Sequence, residues 1–343
     1  MGDMDGDLDR RTYDVLRLVE QHGPIGSIRL VDLMHRHGYS IQDRTVRLVL
    51  SDLDEQGLTA KVPGKGRTLT DRGERELRHG DVAGRLERIR TRIATLTSQV
   101  SYDPIEDTGS LVASSATVTG EKLDEALSCL ERLGETPLGP VPAVLEEPLG
   151  RDPGDRRLLF PSSITLDGVF LTHGIDADLR TAGIVEYDPT ETADDAAIDG
   201  GGTIRRYVDV INGEGSSIDV VSLLIEAGRT TVVPVFEDEI GFVVADDRTV
   251  PLNRIDESRD LASATRDTLG GVVDIERPRD DGSETGRDLP WGFGAITYAG
   301  TGELALAAMY ESGLIDGWNT LYSVEDRADF EPVRVLSADA RQR

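Results

Sequence analysis

IRLVDLMHRHGYSIQDRTVRLVLSDLDEQGLTAKVPGKGRTLT, residues 28–70, decides how the front of this chain is read. Ile28, Val31, Leu33 and Met34 make an apolar stripe of helical period, and Gly38 is the residue free to take positive φ that ends such a helix. Ser40 with Asp43 forms an acidic variant of the capping box, and Val46, Val49, Leu50 and Leu53 give a second stripe that stops at Gly57. Two helices joined by so short a corner make a helix-turn-helix. Leu58–Val62 and Thr68–Thr70 are short extended pieces around Pro63, Gly64, Lys65, Gly66 and Arg67, a small hairpin with a cationic tip. Opposite the second stripe lie Gln42, Arg44, Arg47 and Ser51, which reach base edges or phosphates when such a helix enters a major groove. Lys65 and Arg67 are placed for phosphates from the hairpin tip. The expected element is a winged helix-turn-helix over residues 1–80, preceded by a helix from Leu8 to His22 that buries Val15, Leu16, Leu18 and Val19. Modules of this shape also serve protein assembly; agreement among stripe, cap, wing and local charge favours DNA.

The net charge of −27 at first argues against a nucleic-acid partner, so its distribution matters. Residues 1–100 carry 17 Lys and Arg against 16 Asp and Glu, while the remainder carries 20 against 48. The acid therefore lies almost wholly outside the proposed reader. Only three of the basic residues are lysines, Lys61, Lys65 and Lys122, and the first two flank the wing. Arginine in place of lysine with abundant aspartate is associated with proteins that work in concentrated salt, where hydrated carboxylates keep a surface soluble; the alternative is ordinary solubility from net charge. In such salt phosphate contacts are screened, and base and shape readout carry more of the binding.

A single cysteine, Cys129, excludes an internal disulfide framework and a cysteine-rich zinc site, and its place on the apolar stripe of Leu123–Leu133 makes it core filler. The acidic N-terminus is no secretory signal and no apolar run reaches membrane-spanning length, so the expected location is cytoplasmic. Residues 81–100 are expected to form a helical linker with Leu86, Ile89, Ile93 and Leu96 as its seam, and residues 101–335 an α+β domain. Within it Ser110–Thr119 reads as a strand and Glu121–Leu133 as a helix. Thr136–Asp155 reads as a surface excursion, Leu158–Leu166 with Val169–Leu171 as a hairpin turning at Asp167-Gly168, and residues 188–202 as a loop.

Two stretches share a pattern. Gly215-Ser216-Ser217 precedes an apolar helix that ends at Gly228, and Gly300-Thr301-Gly302 precedes another that ends at Gly313, at a constant offset of 85. This predicts an internal repeat of strand, glycine turn and helix. A glycine turn that opens a helix presents free N–H groups and the positive dipole end, where a carboxylate or phosphate is held. Arg229 or Arg254 is the cation expected to partner the ligand's carboxylate beside these turns.

The segments HGYSIQDRTVRLVLSDLDEQGLT, YDPIEDTGSLVASSATVT, GVFLTHGIDADLRTAGIVEY, INGEGSSIDVVSLLIEAGRTTV and GAITYAGTGELALAAMYESGL, in that order, resemble the NrpR family of archaeal nitrogen-assimilation repressors. The resemblance implies a homodimer whose winged helix binds double-stranded operator DNA and whose α+β effector domain binds 2-oxoglutarate and then releases DNA. Relatives often carry two effector domains; the length here leaves room for one, which implies either a self-sufficient dimer or one half of a split system with a second NrpR-type chain as partner. No cofactor, metal or catalytic residue is implied. The pattern departs from the family at Asp219-Val220, where Asp-Pro is usual, and at Thr301-Gly302-Glu303-Leu304-Ala305, where Gly-Gly with Asn-Pro is usual. A glutamate at the mouth of an anion site opposes a dicarboxylate. A winged-helix regulator of another pathway, sensing a different metabolite, therefore stays open. So does an enzyme with a winged-helix assembly domain, although no Walker loop, nucleophile elbow or paired-histidine helix stands in the sequence.

Overall fold

The computed structural model describes residues 10–36, 39, 41–79, 91–146, 155–190, 202–212, 217–277, 292–315 and 317–340. It contains two compact units, Met1–Arg88 and Ile89–Arg343. The expected caps at Gly38 and Ser40, the turn residues Gly215 and Ser216, and linker residues 81–90 lie outside the described residues.

In the first unit α1 (Arg10–His22), α2 (Ser27–Arg36) and α3 (Asp43–Glu55) are followed by a hairpin of β1 (Thr59–Val62) and β2 (Gly66–Leu69), then by α4 (Asp71–His79). Val15, Leu16, Leu18 and Val19 of α1 meet Leu30 and Met34 of α2 and Val46, Leu50 and Leu53 of α3 in one core. The stripe expected on α2 is shifted: Leu30 and Met34 are buried, Val31 and Leu33 half-buried, and Ile28 is 70 % exposed. Helix α3 starts at Asp43 with Gln42 as N-cap and no side-chain cap bond. Ile25 bridges Arg67, with N–H···O distances of 3.0 and 2.9 Å, so the wing is tied back to the segment between α1 and α2. Thr70 begins α4, its Oγ1 accepting from the Gly73 N–H at 3.1 Å.

The second unit holds two antiparallel five-stranded sheets. Its elements are α5 (residues 91–97), β3 (Ser110–Val118), α6 (Leu123–Glu135), β4 (Pro142–Glu146), β5 (Arg156–Pro161), α7 (Thr165–Thr172), β6 (Asp178–Asp188), β7 (Thr203–Asn212), α8 (Ser217–Glu226), β8 (Gly241–Pro251), α9 (Ile255–Leu269), β9 (Val272–Glu276), β10 (Phe293–Ala299), α10 (Thr301–Glu311), β11 (Trp318–Asp326), β12 (Glu331–Pro332) and α11 (Val333–Ala340). The sheet orders are β7-β6-β8-β10-β9 and β11-β3-β5-β4-β12.

Three expectations change here. The stretch 158–171 is not a hairpin: β5 ends at Pro161, and the apolar run continues as α7, with Asp167 and Gly168 inside the helix. Gly168 is glycine because a Cβ there would lie 2.3 Å from the Val100 side chain, which packs against the helix. The excursion at 136–155 contains β4, an interior strand between β5 and β12. Helix α5 is no free connector, since Leu96 and Val100 are buried in the second unit's core and Arg92 Nη2 donates to the Tyr322 carbonyl at 2.7 Å.

The expected offset-85 repeat is not the one the topology displays. Helix α8 follows the edge strand β7, whereas α10 follows the interior strand β10. The runs β3-α6-β4-β5-α7 and β8-α9-β9-β10-α10 share their element order, and their strands take matching places, β3-β5-β4 and β8-β10-β9. After each run the next strand crosses over: β6 pairs with β8, and β11 pairs with β3. GSLVASSATV at 109–118 thereby matches GFVVADDRTV at 241–250, placing Ser114 opposite Asp246 in the scheme, and the third residues of α7 and α10 are Asp167 and Glu303.

Candidate functional site

On α3, burial of Val46, Leu50 and Leu53 turns the opposite side to solvent. Gln42 and Arg44 are exposed there, Ser51 is half-buried, and Arg44 makes no ion pair among the described residues. Arg47 is exposed but engaged, with Nη2 2.7 Å from Asp43 Oδ2 and Nε donating to Ser27 Oγ at 3.3 Å, so contact with a base must displace an intrahelical pair. Lys65 stands exposed at the wing tip.

Arg67 differs from expectation. Its Nε donates to both oxygens of Asp54, at 3.0 and 3.2 Å, and its side chain is 17 % exposed. Thr59 Oγ1 donates to the same carboxylate at 2.7 Å. Alternation along β2 points Arg67 back at α3, where Asp54 compensates it, so its role is to fasten the wing. Arg67→Ala is expected to lower stability by about 1–2 kcal/mol, the worth of a charge-assisted pair, read as a lower urea midpoint. Lys65→Ala is expected to leave that midpoint in place.

The second unit's described effector candidates form no open anion site. Arg229 lies 3.2 Å from Asp209. Arg254 binds Glu257 at 2.7 Å and the His173 carbonyl at 3.0 Å, at the far end of α7. Neither is brought to the turn at Gly300. Ser217 opens α8. Gly300, Thr301 and Gly302 are buried, and a Cβ on Gly302 would stand 2.4 Å from the Pro161 carbonyl oxygen. The glycine thus serves contact between α10 and β5. Thr301 Oγ1 donates to the Pro140 carbonyl at 3.2 Å.

The N-terminus of α10 is filled by the chain's own Glu303. Ser162 Oγ donates to Glu303 Oε1 at 2.9 Å, and the Ser163 N–H to its two oxygens at 3.2 and 3.0 Å, with Ser114 Oγ 3.4 Å away. Ser163 Oγ in turn donates to Asp246 Oδ2 at 2.5 Å. Asp246 Oδ1 is buried without a hydrogen-bond partner. Fully buried Arg248 grips Asp167 through Nη2 at 2.7 Å and Nε at 2.9 Å, and lies 3.8 Å from Asp246. Desolvation and the Asp246 charge outweigh the hydrogen bonds to Glu303 and push its pKa up to about 7. Burial also raises Asp246, despite Arg248. For Arg248 desolvation works against the charge, but Asp167 overcomes it and raises the pKa. Sequence reasoning missed this centre, although the matching strands at 109–118 and 241–250 were the signal that could have located it.

One cleft of about 390 Å3 lies beside α6, lined by Asp124, Glu125, Cys129, Arg132 and Phe236 among others. Arg132 is stacked over Phe236 and paired with Glu237 at 2.5 Å, which leaves an acidic rim poorly suited to a dianion. Among the described residues no cluster of potential metal ligands occurs and no helix is long and apolar enough to cross a membrane.

Comparison with known proteins places both units. A model of the Ribonuclease R winged-helix domain matches residues 14–77. A model of NrpR regulatory domains NRD1 and 2 matches residues 86–330. The chain belongs to the NrpR family. The global nitrogen regulator NrpRI of Methanosarcina mazei is 27 % identical over 253 residues, 72 % of this chain and 75 % of that one. The global nitrogen regulators NrpR of Methanocaldococcus jannaschii and Methanococcus maripaludis are 25 % and 26 % identical over 71 % and 72 % of this chain, but only 41 % and 42 % of their own length. A crystal structure of a nitrogen repressor-like protein from Methanococcus jannaschii superposes with a TM-score of 0.55 at 18 % identity, over 71 % of this chain and 98 % of that one. The fold of this NrpR-type body is thereby shared with a solved relative.

Proposed function

We propose that this NrpR-family chain is a DNA-binding transcriptional regulator, a homodimeric repressor of nitrogen-assimilation genes that leaves its operator on binding 2-oxoglutarate. The observation that carries the reading is the exposed Arg44 and Lys65 on a winged helix, in one chain with an NrpR regulatory domain. Arg47 joins them by exchanging Asp43 for DNA. The metabolite acts by binding one spacing of the two winged helices better than the other, and shifts the equilibrium only by that difference.

Arg44→Ala is expected to weaken operator binding by about 1–2 kcal/mol and to relax discrimination at one base pair. Lys65→Ala is expected to weaken all sequences alike and to reduce the slope of log affinity against log salt by about one. Titrations over a range of salt concentrations check both.

Glu303 favours a second reading, in which the regulator answers to a different, less anionic metabolite, because a carboxylate already occupies the α10 N-terminus. Calorimetry with 2-oxoglutarate in concentrated salt, alone and with operator DNA, separates the two. Binding that lowers DNA affinity supports the nitrogen signal; no heat, or binding without effect on DNA, leaves the second.

A further inference from the structure

In the first unit two large apolar side chains are exposed among the described residues, Ile28 at 70 % and Leu48 at 57 %. Both stand on the two helices of the helix-turn-helix. At 100° per residue, Leu48 falls directly opposite the buried face of Val46, Leu50 and Leu53, one turn after Arg44 and beside Arg47. The acidic side chains of the same exposed face, Asp52 and Glu55, lie in the C-terminal half of α3, beyond the N-terminal residues with which a recognition helix touches bases. The bond from Arg47 to Ser27 joins the N-terminus of α2, where Ile28 sits, to the N-terminal half of α3.

An exposed leucine one turn after Arg44 contributes nothing to the core of this unit. The major groove, however, presents one apolar group, the 5-methyl of thymine. The charge of Arg47 suits the surrounding phosphates, and the concentrated salt expected from the composition screens such contacts and shifts discrimination toward uncharged ones.

We infer that Leu48 reads thymine, packing its side chain on the 5-methyl group of a base next to the step addressed by Arg44. This rests on the DNA-binding reading above and assigns a specificity-determining contact within it. Burial of a methyl against a leucine corresponds to about threefold to tenfold in affinity.

The test uses the full chain in concentrated potassium chloride. An operator is first selected from a random duplex library, and each thymine is then replaced singly by uracil, which removes the methyl and keeps every hydrogen-bonding group. Wild-type protein should lose about threefold to tenfold at one thymine per half-site. Leu48→Ala should lose a similar factor on the thymine duplex and nothing further on the uracil duplex. Leu48→Gln, which keeps side-chain length and helix propensity, should behave as the alanine variant does. Uniform affinity across all uracil duplexes overturns the assignment, as does a Leu48→Ala protein that still distinguishes thymine from uracil at that position. A chain that selects no sequence at all overturns the DNA-binding reading and the thymine contact with it; selection without methyl dependence overturns the contact alone.

Discussion

Arg248→Met is expected to destabilise the second unit by about 3–5 kcal/mol, because it leaves buried Asp246 and part-buried Asp167 with no cation. Arg248 is fully buried, bound to Asp167 by two hydrogen bonds and lying 3.8 Å from Asp246. Urea unfolding should show the loss as a lower midpoint at unchanged slope. The triple variant Arg248→Met, Asp167→Leu, Asp246→Ser should recover most of it, since removing a whole buried charge cluster costs far less than removing one partner. Serine is a suitable replacement at 246 because Ser114 holds the matching position on β3. A loss below about 1 kcal/mol for Arg248→Met would mean that water enters the cluster and that the charges do not depend on one another.

Stability of the same unit should fall as pH rises from about 4.5 to about 7, and Glu303→Gln should flatten that slope. The folded Glu303 holds its proton up to about 7 while the unfolded side chain releases it near the ordinary value of 4.5. Between these values the folded state binds more protons, so raising the pH draws protein toward the unfolded state. The contribution is fully present below pH 4.5 and gone above 7, at most about 3 kcal/mol from 1.36 kcal/mol per pKa unit. Asp246, also raised, adds with the same sign. Glutamine keeps an oxygen for Ser162 and the Ser163 N–H but carries no charge, so at pH 8 the variant should be at least as stable as wild type. Equal slopes in the two proteins across this window would show that Glu303 is not the titrating group.

The winged helix was legible because its signals are local. Val46, Leu50 and Leu53 repeat at helical spacing, and the glycine-rich tip between two short strands permits one economical reading. Ile28 broke the pattern on α2, since period alone cannot tell a core leucine from an exposed isoleucine. Arg67 was misassigned for a different reason: its partner Asp54 is 13 residues away, and only the closed hairpin brings them together. The second unit hid its logic in pairings more distant still. Asp167-Gly168 has the chemistry of a tight turn, and nothing local shows that Val100 packs against that glycine or that Arg248 claims that aspartate. The glycine turn at 300–302 has the look of a ligand cradle because backbone approach demands glycine; here the approaching group is the backbone at Pro161.

The crossing of β6 into the sheet of β8, and of β11 into that of β3, means that no cut between the two runs leaves both sheets complete. Severed after Thr172, the first piece would lose β11 and β12 and leave β3 and β4 with open edges, while the second would keep its own sheet but carry β11 and β12 without their partners. Like a pair of clasped hands, the two runs are each completed by a strand that follows the other.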